Sequence, residues 1–114
     1  MNIEVKFFYA NGSDKTVLGA DAKLSYSQIF YESPGGQVTP VYTDFEIKFT
    51  VKGKAKGLAK KLDQFTYVLG NGDGYGEKIK LKSVKDKKGV LAICFRGSGD
   101  YMLPGFERKI QPAT

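Results

Sequence analysis

The sequence predicts an all-β domain of about eight short strands packed as two sheets. Three observations carry this. Apolar and polar residues alternate with a period of two in several stretches, most plainly where Phe45, Ile47, Phe49 and Val51 interleave with Glu46, Lys48, Thr50 and Lys52. Turn signals recur roughly every 8–12 residues, the spacing of a sandwich or barrel. Fourteen glycines in 114 residues supply the turns.

In chain order, Ile3, Val5, Phe7 and Tyr9 share one register, which predicts a half-buried strand over 2–10. Asn11-Gly12 tolerates positive φ at both positions and marks a hairpin. Residues 15–18 read as the returning strand, 19–22 as a turn, and 23–32 as a longer strand with Leu24, Tyr26 and Phe30 in phase. Ser33-Pro34-Gly35-Gly36 stops any ladder. Residues 38–42 suit an edge strand, because Pro40 has no amide proton to donate. After the strand at 45–51, Ala55, Leu58, Ala59 and Leu62 fall at helical spacing between lysines. One or two helical turns are therefore expected near 54–62, weakened by Gly57 by about 1 kcal/mol. Phe65, Tyr67 and Leu69 mark the next strand, and the glycine-rich run 70–76 a turn. Lys78, Lys80 and Lys82 alternate with Ile79 and Leu81, and 90–96 is apolar on both faces, as a central strand would be. A last strand is expected at 106–110. This gives one domain over 1–110 with a flexible tail at 111–114.

The segment 45–51 followed by 64–76 resembles, in general pattern, several immunoglobulin-like families, including starch-binding and chromatin-reader types. An immunoglobulin-like or jelly-roll-like sandwich is preferred to a barrel because the crossing segment at 53–62 suits a change of sheet. The resemblance carries no residue-level motif, and fold by itself does not imply function.

The chemistry available is restricted. There is no histidine, so neither a Ser-His-Asp nor a Cys-His arrangement can form, and the commonest metal ligand is missing. A single cysteine and no histidine leave no basis for structural zinc. Cys94, inside an apolar run, is expected to pack as a small hydrophobe. Asn71, Asp73 and Glu77 do not match the spacing of a calcium loop and are expected to form a plain hairpin turn. No catalytic residue, metal or cofactor is expected. The one catalytic route left is glycoside hydrolysis by a carboxylate pair, with Glu32, Glu46, Glu77 and Asp100 as candidates.

Surface chemistry points to recognition. The net charge is +6, and 16 of the 18 basic residues are lysines. Lysine gives diffuse attraction for polyanions, whereas base readers favour the planar arginine fork. Sequence-specific nucleic-acid binding is therefore not expected. The function expected is a non-catalytic binding module that meets a protein or an acidic polymer through a lysine-rich face and its loops. Lys78, Lys80 and Lys82 are the candidate basic row, and Tyr42, Tyr75 and Tyr101 the candidate loop aromatics. Carbohydrate binding by ring stacking on those tyrosines is the alternative, weakened by the absence of tryptophan. No apolar stretch approaches the roughly 20 residues of a membrane span, and no membrane partner is expected. A chain complete as given would be cytoplasmic; one cut from a processed precursor would be secreted.

Overall fold

The computed structural model describes residues 1–53, 61–99 and 101–107. It contains six strands: β1 (Ile3–Tyr9), β2 (Asp14–Glu32), β3 (Val38–Val51), β4 (Leu62–Leu69), β5 (Gly74–Lys87) and β6 (Val90–Ser98). All neighbouring strands are antiparallel, and the sheet closes on itself in the order β1-β2-β3-β6-β5-β4. There is no helix among the described residues; the expected helical turns near 54–62 fall mostly outside them, and Leu62 already belongs to β4. The expected tail at 111–114 also lies outside them.

The two-sheet sandwich of about eight strands is therefore corrected to one closed barrel of six. Two expected breaks are irregularities within continuous strands. The turn at 19–22 is a register shift in β2 between Ala20 and Lys23, with Asp21 at φ 55°. A bulge of this kind re-aims a strand without ending it. Pro40 sits beside a second shift, between Ile29 and Phe30, the kind of irregularity at which a strand tolerates proline. The strand expected at 106–110 is not one as far as it is described: Phe106 and Glu107 are not in a strand.

Closure sends one phase of every strand inward. Val5, Phe7, Val17, Phe45, Ile47, Phe49, Phe65, Tyr67, Leu91, Ile93 and Phe95 are all buried. The interior is filled by side chains, as a barrel this small must be. Phe45 and Phe95, opposite each other on β3 and β6, stack at 4.9 Å. The segment 101–106 covers one end of the barrel. Leu103 and Phe106 are buried there, and Phe106 meets Phe45 edge-on at 4.9 Å. The Tyr67 hydroxyl donates to the Pro104 carbonyl, and Thr43, fully buried, donates to the Gly99 carbonyl at 2.9 Å. Both bonds tie the covering chain to the wall.

The barrel has an internal pseudo-two-fold. The meander β1-β2-β3 corresponds to β4-β5-β6, and each seam joins equivalent strands, β1 to β4 and β3 to β6. Val5 pairs with Tyr67 and Phe7 with Phe65, so the axis passes by Lys6 and Thr66 on one seam. The two first turns share the same backbone and Asn-to-backbone hydrogen bonds. Gly12 N–H donates to Tyr9 O at 3.0 Å, and Gly72 N–H to Leu69 O at 2.9 Å. Asn11 Oδ1 accepts from Ser13 N–H at 2.9 Å, and Asn71 Oδ1 from Asp73 N–H at 3.0 Å. Gly12 and Gly72 stand at φ 88° and 93°, conformations that exclude most side chains. The bulge between Ala20 and Lys23 in β2 recurs between Leu81 and Ser83 in β5.

The halves differ in their second hairpin. β5 and β6 are joined by the two-residue turn Lys88-Gly89. β2 and β3 continue past the barrel: Phe30 pairs with Pro40, Tyr31 with Thr39 and Glu32 with Val38, before a turn at Ser33–Gln37.

Candidate functional site

The outward face of β2, β3, β6 and β5 is a grid set by register. In one row Lys23 opposes Lys48, Lys48 opposes Ala92, and Ala92 opposes Lys85. In the next, Ser25, Glu46, Cys94 and Ser83 stand side by side. In the third, Ser27 opposes Asp44 and Asp44 opposes Arg96. With strands about 4.8 Å apart, Lys23 and Lys48 are immediate neighbours and Lys85 lies roughly 10 Å beyond Lys48. Small side chains in the middle rows leave a depression of about 360 Å³, lined by Ser25, Ser27, Asp44, Glu46, Lys82 and Cys94.

Charge across this face is uneven. Asp44 accepts two bonds from Arg96, Nε at 2.7 Å and a terminal nitrogen at 3.1 Å, and Lys82 stands 3.8 Å away. The Arg96 hydrogen bonds hold the Asp44 carboxyl below the usual aspartate range, against a partial opposing effect of desolvation. Lys48 reaches Glu46 at 4.0 Å. Lys23 and Lys85 have no carboxylate within 4.0 Å among the described residues. The face thus carries a neutralised centre at Asp44 and a cationic row beside it.

Of the residues singled out from sequence, Tyr42 and Lys82 fall on this face. Tyr42 serves as a support there: the Arg96 guanidinium lies 3.6 Å from its ring centroid, covering one side of the ring. Lys78 and Lys80 stand elsewhere on the wall. Lys80 opposes Gln64 on β4, and Lys78 caps the Phe8 ring of β1 at 4.5 Å. The three lysines diverge because the bulge beside Lys82 turns it toward β3, while Lys78 leans over β4 to β1. Tyr75 and Tyr101 are half-buried against the core at the covered end of the barrel. Tyr75 donates to Glu77 at 3.1 Å, a bond that raises its pKa. Tyr101 meets Phe45 edge-on at 5.9 Å.

Cys94 is also relocated. It is half-buried on the outward face with Sγ 3.9 Å from a Glu46 carboxylate oxygen, whereas the inward phase of its strand belongs to Leu91, Ile93 and Phe95. Among the candidate carboxylates, Glu32 is near the end of the long hairpin, Glu46 on the grid and Glu77 beside Tyr75; Asp100 lies outside the described residues. The three described ones do not converge. The carboxylate next to Glu46 is Asp44, which periodicity alone did not distinguish. Lys23 and Lys85 were equally hidden, since only cross-strand register brings them to Lys48.

No family model matches the chain, and no curated protein or solved structure matches it.

Proposed function

We propose that this domain is a non-catalytic binding module that takes an acidic polymer on the outward face of β2, β3, β6 and β5. The observation that carries the reading is the lysine row. Like charges directly opposite on antiparallel strands destabilise a sheet, and here Lys23 faces Lys48, which Glu46 offsets only at 4.0 Å, while Lys23 has no carboxylate within that distance among the described residues. An anionic chain laid across the strands would relieve that repulsion and reach Lys85 along the same row. Lys82 and Arg96 border the row but are engaged with Asp44, so they orient the face more than they add free charge.

The two other readings have weaker support. Ring stacking needs open aromatic faces, yet Tyr42 is covered by Arg96 and Tyr75 and Tyr101 pack on the core. Glycoside hydrolysis needs one carboxyl kept protonated near neutral pH, yet Asp44 beside Glu46 is shifted the opposite way.

The test is binding of heparin, as a generic polyanion, over a series of salt concentrations. Affinity is expected to fall steeply with salt. Reversing Lys23, Lys48 and Lys85 to Glu abolishes retention, while reversing Lys78 and Lys80 has a smaller effect. Salt-independent binding, or equal losses from the two sets, overturns the assignment.

A further inference from the structure

Barrel closure does not require the long β2–β3 hairpin, because the equivalent hairpin of the second half ends in the two-residue turn Lys88-Gly89. The added ribbon has its own chemistry. Beyond the barrel its one charged residue is Glu32, and residues 24–47 contain no Lys or Arg; Asp44 and Glu46, in the same span, stand on the barrel wall paired with Arg96, Lys82 and Lys48. The large hydrophobic residues that the described chain exposes fall into two groups. Five are on the ribbon: Ile29, Phe30, Tyr31, Val38 and Val41. The rest are Met1, Leu18 and Val68.

Leu18 and Val68 of the second group line a depression of about 260 Å³ on the wall of β1, β2 and β4. Leu18 and Val68 flank Glu4 on its two sides, and Lys52, whose amide donates to Leu18 O at 3.0 Å, also lines it. Leu18 and Tyr31 belong to one continuous strand, about 40 Å apart at roughly 3.3 Å per residue. The ribbon of a molecule therefore cannot fold back onto its own depression.

We propose that the ribbon docks on a second copy of this chain, seating its apolar end on the Leu18–Val68 depression of the next molecule. Charge favours this occupant: a ribbon that carries Glu32 and no base approaches a chain of net charge +6, with Glu32 brought toward Lys52. The two patches differ, so the contact is heterologous and propagates head to tail, giving rings or open chains rather than a closed two-fold dimer. Apolar area on both surfaces supplies the attraction.

The experiment is sedimentation velocity on the full chain across a concentration series at low salt. The wild type is expected to exceed monomer mass and to grow with concentration. Leu18→Asp is expected to give monomers, as is a chain whose ribbon is cut back to a Lys-Gly turn. Glu32→Lys and Lys52→Glu should each weaken association about tenfold, the equivalent of about 1.4 kcal/mol, and the double variant should regain it. Near-ultraviolet circular dichroism checks that each variant keeps the barrel. Should the shortened chain fail to fold, Leu18→Asp and the charge swap still decide the matter. A wild type that stays monomeric up to its solubility limit overturns the proposal. So does association that survives Leu18→Asp, which would indicate ribbon-to-ribbon pairing.

Discussion

Arg96 grips both carboxylate oxygens of Asp44 across the β3–β6 seam while its guanidinium lies on the Tyr42 ring. The seam is one of the two that join the halves of the barrel, so this outward clamp sits over the Phe45–Phe95 stack inside. Bidentate pairing also fixes the plane of the guanidinium, which a lysine at 96 could not do.

A pH dependence follows. The folded pKa of Asp44 is below its ordinary 3.8. A depressed acid contributes stability that is present above the unfolded pKa and is lost as pH falls through the folded one. The contribution is therefore complete above about pH 5 and is lost as pH falls from 3.8 through the lower folded value. Asp44→Asn is expected to lower the thermal midpoint near neutrality and to flatten its decline between about pH 5 and 3. Thermal melts over that range check it; an acid limb unchanged by the substitution would show that other carboxylates set it.

Much of this fold was legible in the sequence. The strand at 45–51 was placed by its alternation and the Asn11-Gly12 hairpin by its turn chemistry. The number of sheets was not legible, because a bulge at Asp21 and a turn there look alike in one dimension, as do a strand break and a bulge at Pro40. The pseudo-two-fold was hidden for a related reason: it resides in register and turn geometry, and Val5 and Phe7 answer to Phe65 and Tyr67 with little identity. The site was half legible. Alternation marked Lys48 and Lys82 as outward, but Lys23, Lys85, Asp44 and Arg96 are brought together only by closure and stagger.

Gly97 makes room for Tyr101. A Cβ at position 97 would overlap the Tyr101 ring, which is itself held edge-on against Phe45. Gly97→Ala is expected to destabilise the domain by about 1–3 kcal/mol, the usual cost of overpacking. In a Tyr101→Ala background the same change should cost less, since the two ring atoms that crowd it most are gone and only the Tyr101 Cβ, at 2.7 Å, remains. Urea unfolding of the four variants measures the coupling; additive losses would disprove the steric account.

The Tyr67 hydroxyl is the tether of the barrel's covering segment. Its bond to Pro104 O is made from a side chain that is 1% exposed, and burial raises its pKa well above the ordinary 10.0. A raised folded pKa means that stability is full below the unfolded value and falls as pH climbs past it. Alkaline unfolding is therefore expected above pH 10.0. Tyr67 should ionise only with it. Tyr67→Phe leaves the Pro104 carbonyl without its donor, costs about 1 kcal/mol, and removes the late step from an absorbance titration at alkaline pH.

The lysine row predicts a conflict between stability and binding. Lys23 and Lys48 are directly opposed on the outer surface of antiparallel strands, and among the described residues Lys48 has only Glu46 to offset it. Lys23→Glu turns a repulsive cross-strand pair into an attractive one. In an exposed setting screened by water and salt, the gain is a few tenths of a kcal/mol, which appears as a small rise in melting temperature at low salt and vanishes at high salt. The same substitution should weaken heparin binding several-fold and reduce its salt dependence. A residue retained only for solubility or edge protection would show neither half of this pattern. If Lys23→Glu stabilises the fold and leaves polyanion binding untouched, the row is not where the partner sits. If it destabilises the fold, the register that brings Lys23 to Lys48 is wrong.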